Sequence, residues 1–172
     1  MLRLLGIACL TVGCTGLGWC WKDRLKKGLE EQYQVWRILK MMENEITYSR
    51  APLPEACLRI AARVQEPYRE AFAGIHREMT ANCGAAFDTV WRGQMEKCTG
   101  SSALPAEEKK RLLELGNCVG FMDGQMQAHI LEQQIRRLEL SIGKQEKEMA
   151  DKGRVIMSLS IMGGVIIGII FI

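Results

Sequence analysis

Two uncharged apolar runs bracket this chain, Leu4–Trp21 and Val155–Ile172, and every charged side chain except Arg3 lies between them. Each run is 18 residues long, which as helix reaches about 27 Å and nearly matches a hydrocarbon core of roughly 30 Å. The expected organisation is a membrane hairpin: a transmembrane helix over 1–21, a helical domain over 22–154 and a second transmembrane helix over 155–172.

Lys22, Arg24, Lys26 and Lys27 follow the first run, and Lys144, Lys147, Lys152 and Arg154 precede the second. Basic residues next to membrane segments stay on the cytoplasmic side, and both clusters belong to one loop, so the domain is expected in the cytoplasm. The competing reading is a processed N-terminus. Thr11-Val12-Gly13-Cys14 resembles a lipobox whose cysteine becomes lipidated, which would make the protein an extracytoplasmic binding protein anchored at Cys14. Against it, Thr11 stands where leucine is usual, and the apolar run continues past Cys14 to Trp21 before meeting positive charge.

Charge and motif content argue against several function classes. Without Arg3, 22 basic residues face 20 acidic ones, far from the basic stripe of a nucleic-acid surface, so no nucleic acid is expected as partner. The cysteine count of seven is odd and scattered, which fits reduced thiols better than a disulfide framework, and Cys57, Cys83, Cys98 and Cys118 are expected to act as small apolar residues. His76 and His129 lack a second ligand at helical spacing, since Glu78 at i+2 points to another face. There is no phosphate-cradling glycine loop, nucleophile elbow or dinucleotide fingerprint. No enzymatic activity, cofactor, metal or small-molecule substrate is expected.

Between 22 and 154 nothing alternates like a strand, and helix formers dominate, so the fold class is all-α with about six antiparallel helices. Val35, Leu39, Met42 and Ile46 mark the buried face of a first helix that stops near Ser49, because Pro52 and Pro54 disfavour helical geometry before them. Pro52 starts a second helix with the face Leu53, Ala56, Cys57, Ile60 and Val64, and Pro67 opens a third through Phe72, Ile75 and Met79. Turn chemistry at Asn82–Gly84 precedes a fourth with Phe87, Val90, Trp91 and Met95. Pro105, Glu107 and Glu108 begin a fifth through Leu112, Leu113 and Leu115. A long sixth repeats Phe121, Gly124, Ala128, Leu131, Ile135, Leu138, Ile142, Gln145 and Met149 at a period of about 3.5, a seam either for this bundle or for another chain.

Small residues form a second pattern. Gly116, Gly120, Gly124 and Ala128 recur every four residues and would let another helix backbone come close. In the apolar runs, Gly6, Cys9, Gly13, Gly16 and Cys20 form one stripe, and Ser160, Gly164 and Gly168 another. Such faces pack membrane helices on each other or on the helices of a larger complex.

The order and spacing of several short signatures resemble the stage III sporulation protein AB family of endospore-forming bacteria. They are Met1-Leu2-Arg3-Leu4-Leu5-Gly6, then Glu45-Ile46-Thr47-Tyr48 followed by Pro52-Leu53, Ala56 and Ile60-Ala61, then Trp91, Leu115-Gly116, Gly120, Asp123, Gln127 and the closing Ile169-Ile170-Phe171-Ile172. That family is similar to the cytoplasmic helical domain of type II secretion F and pilin-platform proteins. The resemblance implies a non-enzymatic membrane scaffold of the sporulation channel linking mother cell and forespore. It would lie in the outer forespore membrane, face the mother-cell cytoplasm, and work beside the ATPase stage III sporulation protein AA and other membrane components of the complex. Glu43, Glu45 and Arg50, which flank the best-matching motif, are the expected partner surface.

Overall fold

A computed structural model describes residues 23, 25–49, 51–81, 84–120 and 124–170, with side chains described as far as 151. The chain runs α1 (25–44), a π-helical turn (Glu45–Ser49), α2 (Leu53–Ala61), α3 (Tyr68–Ala81), α4 (Phe87–Thr99), α5 (Ala106–Val119) and α6 (Gly124–Ile170). The described residues form helices and turns only, in the expected all-helical bundle. The expected membrane legs and their glycines, the Cys14 lipobox and Cys83 lie outside the residues whose side chains are described. Among the described residues no helix is long and apolar enough to cross a membrane.

Prolines set the boundaries as their fixed φ requires. Pro52 (φ −54°, ψ 146°) and Pro105 (φ −55°, ψ 144°) are the residues just before α2 and α5, one position earlier than a first-turn proline, while Pro54 occupies the first turn of α2. α1 ends where the prolines begin, but its last turn widens into the π-helical Glu45–Ser49. The extra residue per turn rotates the side chains beyond Glu45 out of the α-helical register. Ile46 stays buried, while Thr47, Tyr48 and Ser49 emerge into solvent.

Two helix sets share one core. α1 and α6 are antiparallel neighbours: Tyr33 Oη donates to Glu146 at 2.7 Å, and Trp36 Nε1 donates to Glu139 at 2.9 Å. Val35, Ile38, Leu39 and Met42 of α1 and Leu131, Ile135, Leu138 and Ile142 of α6 are all buried in the common core. The sixth helix's repeat is thus spent within the chain. Short connections make α2 and α3, α3 and α4, and α4 and α5 packed antiparallel neighbours. At the centre of this second set Trp91 is fully buried, edge-on to Phe72 and tilted against Phe87, with both centroid separations 5.6 Å. Its indole N–H donates to the Leu112 carbonyl at 2.7 Å, tying α4 to α5.

The glycine stripe divides. A Cβ on Gly116 would lie 2.6 Å from Trp91 Cδ1, and one on Gly120 would lie 3.2 Å from Phe87 Cβ, so both let α5 approach the aromatic side of α4. α5 stops at Val119, and Gly120 caps it with its N–H on the Gly116 carbonyl at 3.0 Å. Gly124 therefore begins a different helix, where a Cβ would meet nothing within 4 Å. It is exposed and makes no close approach.

Candidate interaction surface

At the far end of α1 from residue 23, the π-helical turn meets α2 around a buried carboxylate. Glu45 is 6% exposed, and it accepts from Arg59 Nη1 at 3.2 Å while Arg63 Nη1 stands 3.6 Å from its other oxygen. Arg59 also reaches Glu55 at 3.7 Å. A carboxylate removed from water needs such partners, because an unpaired one carries a heavy desolvation cost. The two guanidiniums remain largely in solvent, at 45% and 62% side-chain exposure, so they supply charge without being desolvated themselves. The cluster fastens α2 and the turn before it onto the end of α1.

Of the expected partner surface Glu43, Glu45 and Arg50, the structure places Glu45 under cover and in an ion pair. Glu45 is an internal anchor, covered because α2 crosses the flank of α1 on which it sits. Glu43 is partly buried and engaged by Lys40 Nζ at 3.1 Å, and Arg50 lies outside the described residues. What the tip offers to solvent is different: Tyr48 is 83% exposed on the π-helical turn, and Leu58 is 42% exposed beside Arg59 on α2. Tyr48, two residues past the buried Ile46, points away from the buried stripe of α1.

Other polar groups are structural. Glu31 of α1 accepts the backbone N–H groups of Ala103 and Leu104, at 2.9 and 3.0 Å, and so holds the α4–α5 loop. Glu108, in the first turn of α5, is buried and paired with Arg111 at 3.2 Å. His76 Nδ1 donates to the Pro54 carbonyl at 3.0 Å, which joins α3 to the start of α2, and the exposed His129 accepts from the Gln133 amide at 3.0 Å. The histidines therefore serve packing and surface roles.

A cleft of about 510 Å³ opens between α3 and α4, with Glu70, Arg77, Glu78 and Lys97 on its walls. Gly74 makes room for the Gln94 amide, which donates to Glu78. Its charges balance in sign. Cys98 borders it with a thiol pushed up to about 11, by burial first and then by nearby Glu31 and Glu66; burial alone raises Cys57 to about 12. Thiols held protonated in this way are poor nucleophiles and poor metal ligands at neutral pH. Among the described residues no group of three His, Cys, Asp or Glu side chains is placed to hold a metal ion.

Comparison with known proteins agrees with this geometry. The profile of the stage III sporulation protein AB family matches residues 3–172. A curated relative, stage III sporulation protein AB of Bacillus subtilis (strain 168), is 25% identical over 167 residues, covering 97% of each chain. A solved structure of a stage III sporulation protein AB superposes with a TM-score of 0.64 at 22% identity, over 72% of this chain and 97% of the other, and so has the same fold.

Proposed function

Because the chain belongs to the stage III sporulation protein AB family, we propose that it is a non-enzymatic membrane scaffold of a sporulation complex. In this reading it sits in the channel assembly between mother cell and forespore, and couples that assembly to a partner ATPase, stage III sporulation protein AA. The apolar runs 4–21 and 155–172 anchor it in the outer forespore membrane, with the bundle in the mother-cell cytoplasm. Its task is to hold a partner in place; the chemistry of ATP belongs to that partner.

The observation that carries the reading is the tip at Glu45. An ion pair between the buried Glu45 carboxylate and solvent-facing arginines fixes the turn between α1 and α2, and a largely exposed tyrosine projects from that fixed turn. Aromatic side chains on rigid supports are common energetic centres of protein interfaces, because little conformational entropy remains to be lost on binding. The test is co-purification of the full-length protein with the ATPase in a membrane mimetic, paired with a sporulation count. Tyr48→Ala combined with Leu58→Ser should weaken association at least tenfold while leaving helicity unchanged. If the wild-type pair does not associate, the scaffold reading is wrong; if the double variant associates like wild type, the tip is not the contact.

A further inference from the structure

α6 is longer than the core it lines. It runs unbroken over 47 residues, Gly124–Ile170, which is about 70 Å of helix. Ile142 is its last buried residue among those described, so from there to Ile170 about 42 Å of the same helix continues past the buried seam. It enters the apolar run at Val155 without a break. The connection from Gly143 to Arg154 holds no proline and consists mainly of Lys, Gln, Glu, Met and Ala, which favour helix. Lys144 and Lys147 each have a carboxylate four residues on, Glu148 and Asp151, at the spacing that steadies an exposed helix. Gly143 and Gly153 lie in this stretch, and the helix passes through both.

α1 fixes how this helix is turned about its own axis. Leu131, Ile135, Leu138 and Ile142 face the core, and on one flank Glu139 and Glu146 accept from Trp36 Nε1 and Tyr33 Oη at 2.9 and 2.7 Å. Nearby, Gln145 Nε2 comes within 3.7 Å of the Cβ position of Gly28. Turning α6 by one residue, about 100°, would break both hydrogen bonds and lift the four apolar side chains out of the core. Sharp bends in long helices arise at proline, at Gly/Ser pairs or at bulges. A helical connection rich in Glu, Ala and Lys is a semi-rigid spacer, where a Gly/Ser linker is a flexible coil. The rotational setting of Ile142 is therefore handed on, residue by residue, to Val155 and beyond.

We infer that α6 is a stiff shaft: it sets the rotational phase of the C-terminal apolar run relative to the bundle, so that a push or turn applied to the bundle by its partner reaches the membrane assembly through this one helix. The inference rests on the scaffold reading above. It adds the element that carries the force and the property, helical phase, on which transmission depends. A tether would need only enough length. A shaft needs an unbroken hydrogen-bonded helix that joins a clamped segment to the driven one, and α6 supplies the clamp at Glu139 and Glu146 and the continuity from there to Ile170.

The test inserts residues between Asp151 and Lys152 of the full-length protein and counts spores. Two alanines turn the apolar run by about 200° and lengthen α6 by about 3 Å, whereas four bring it to within about 40° of its original phase while adding about 6 Å. Length and phase thus make opposite demands. A Gly-Ser-Gly-Ser insert matches the four alanines in length and removes the stiffness. The four-alanine protein should sporulate like wild type, and the other two at least tenfold less. Any other order, including equal loss or no loss in all three, overturns the shaft. A second measurement needs no insertion and no sporulation. In lipid nanodiscs, spin labels on genetically encoded ketone residues replacing Leu140 and Val165 should give one narrow separation of about 38 Å, the rise of a straight helix between those positions. A broad or clearly shorter distribution overturns the inference by itself. Co-purification with the ATPase is followed in every variant, because the tip is untouched. If it persists where the spore order or the separation fails, only the shaft falls; if the wild-type protein itself does not co-purify, the scaffold reading falls.

Discussion

Gly116→Ala should destabilise the domain, although alanine is the better helix former. A Cβ at 116 would stand 2.6, 2.8 and 2.9 Å from Cδ1, Cγ and Cβ of Trp91, at the root of the side chain and not at a flexible tip. Trp91 has little room to yield: it is fully buried, wedged between Phe72 and Phe87, and its N–H is held by the Leu112 carbonyl. Forcing an extra methyl into such a site costs about 1–3 kcal/mol. Rotating the indole away would orphan a buried donor at about 1–3 kcal/mol. Whichever way the site yields, the gain of about 1 kcal/mol from replacing a helical glycine leaves a net loss of about 1 kcal/mol. Gly93→Ala and Gly143→Ala serve as controls, since both glycines are inside helices and a Cβ at either meets nothing within 4 Å. Each should stabilise by about 0.5–1 kcal/mol. Urea unfolding of the full-length protein in mild detergent, followed by far-ultraviolet circular dichroism, should place the Gly116→Ala midpoint about 0.5 M lower at an unchanged slope. A midpoint at or above wild type, or a shift of all three variants in the same direction, would refute the close packing of α5 on Trp91.

The other expectations concern charge and thiols. Arg59→Ala with Arg63→Ala should destabilise more than Glu45→Gln: the first leaves a carboxylate buried without partners, while the second leaves two arginines already facing solvent, a loss near ~1 kcal/mol. Reversal of that order in urea midpoints would show that Glu45 is not the buried member. Glu31→Ala should speed hydrogen exchange at the Ala103 and Leu104 amides at least tenfold, with α3 unaffected; unchanged exchange would mean that the α4–α5 loop holds itself. Among variants retaining one cysteine, Cys118 should react with an aromatic disulfide at pH 8 well before Cys57 or Cys98, since it is only half-buried while they are buried and their thiols raised. The folded-state values of about 12 and about 11 lie above the unfolded value of 9.0, so the unfolded chain ionises first. The two thiols leave stability unchanged below pH 9 and lower it as pH climbs from 9 towards 11 and beyond, a decline that Cys57→Ala should flatten.

Helix number and boundaries were legible because proline acts locally. Pro52, Pro67 and Pro105 each stand one residue before a helix start, and a fixed φ works whatever surrounds it. The buried faces were equally legible: Leu131, Ile135, Leu138 and Ile142 repeat with a period that only a helix seam satisfies, and all four are buried. The glycine stripe was half legible. Spacing by fours reports a common face only while one helix continues, and the break after Val119 separates Gly124 from Gly116 and Gly120.

Glu45 resisted the same reasoning for a physical reason. It precedes the buried Ile46 by one residue, and so lies at the edge of a buried stripe. A helix edge is covered or bare according to the element that crosses it, and the crossing element here is α2, whose Arg59 and the nearby Arg63 arrive 14 and 18 residues later. A useful signal was the pairing of types: a carboxylate on the flank of one helix, with two arginines four residues apart beyond a proline turn. The meaning of that charge is decided by whether packing supplies it a partner, and a single helix viewed in isolation carries no record of that.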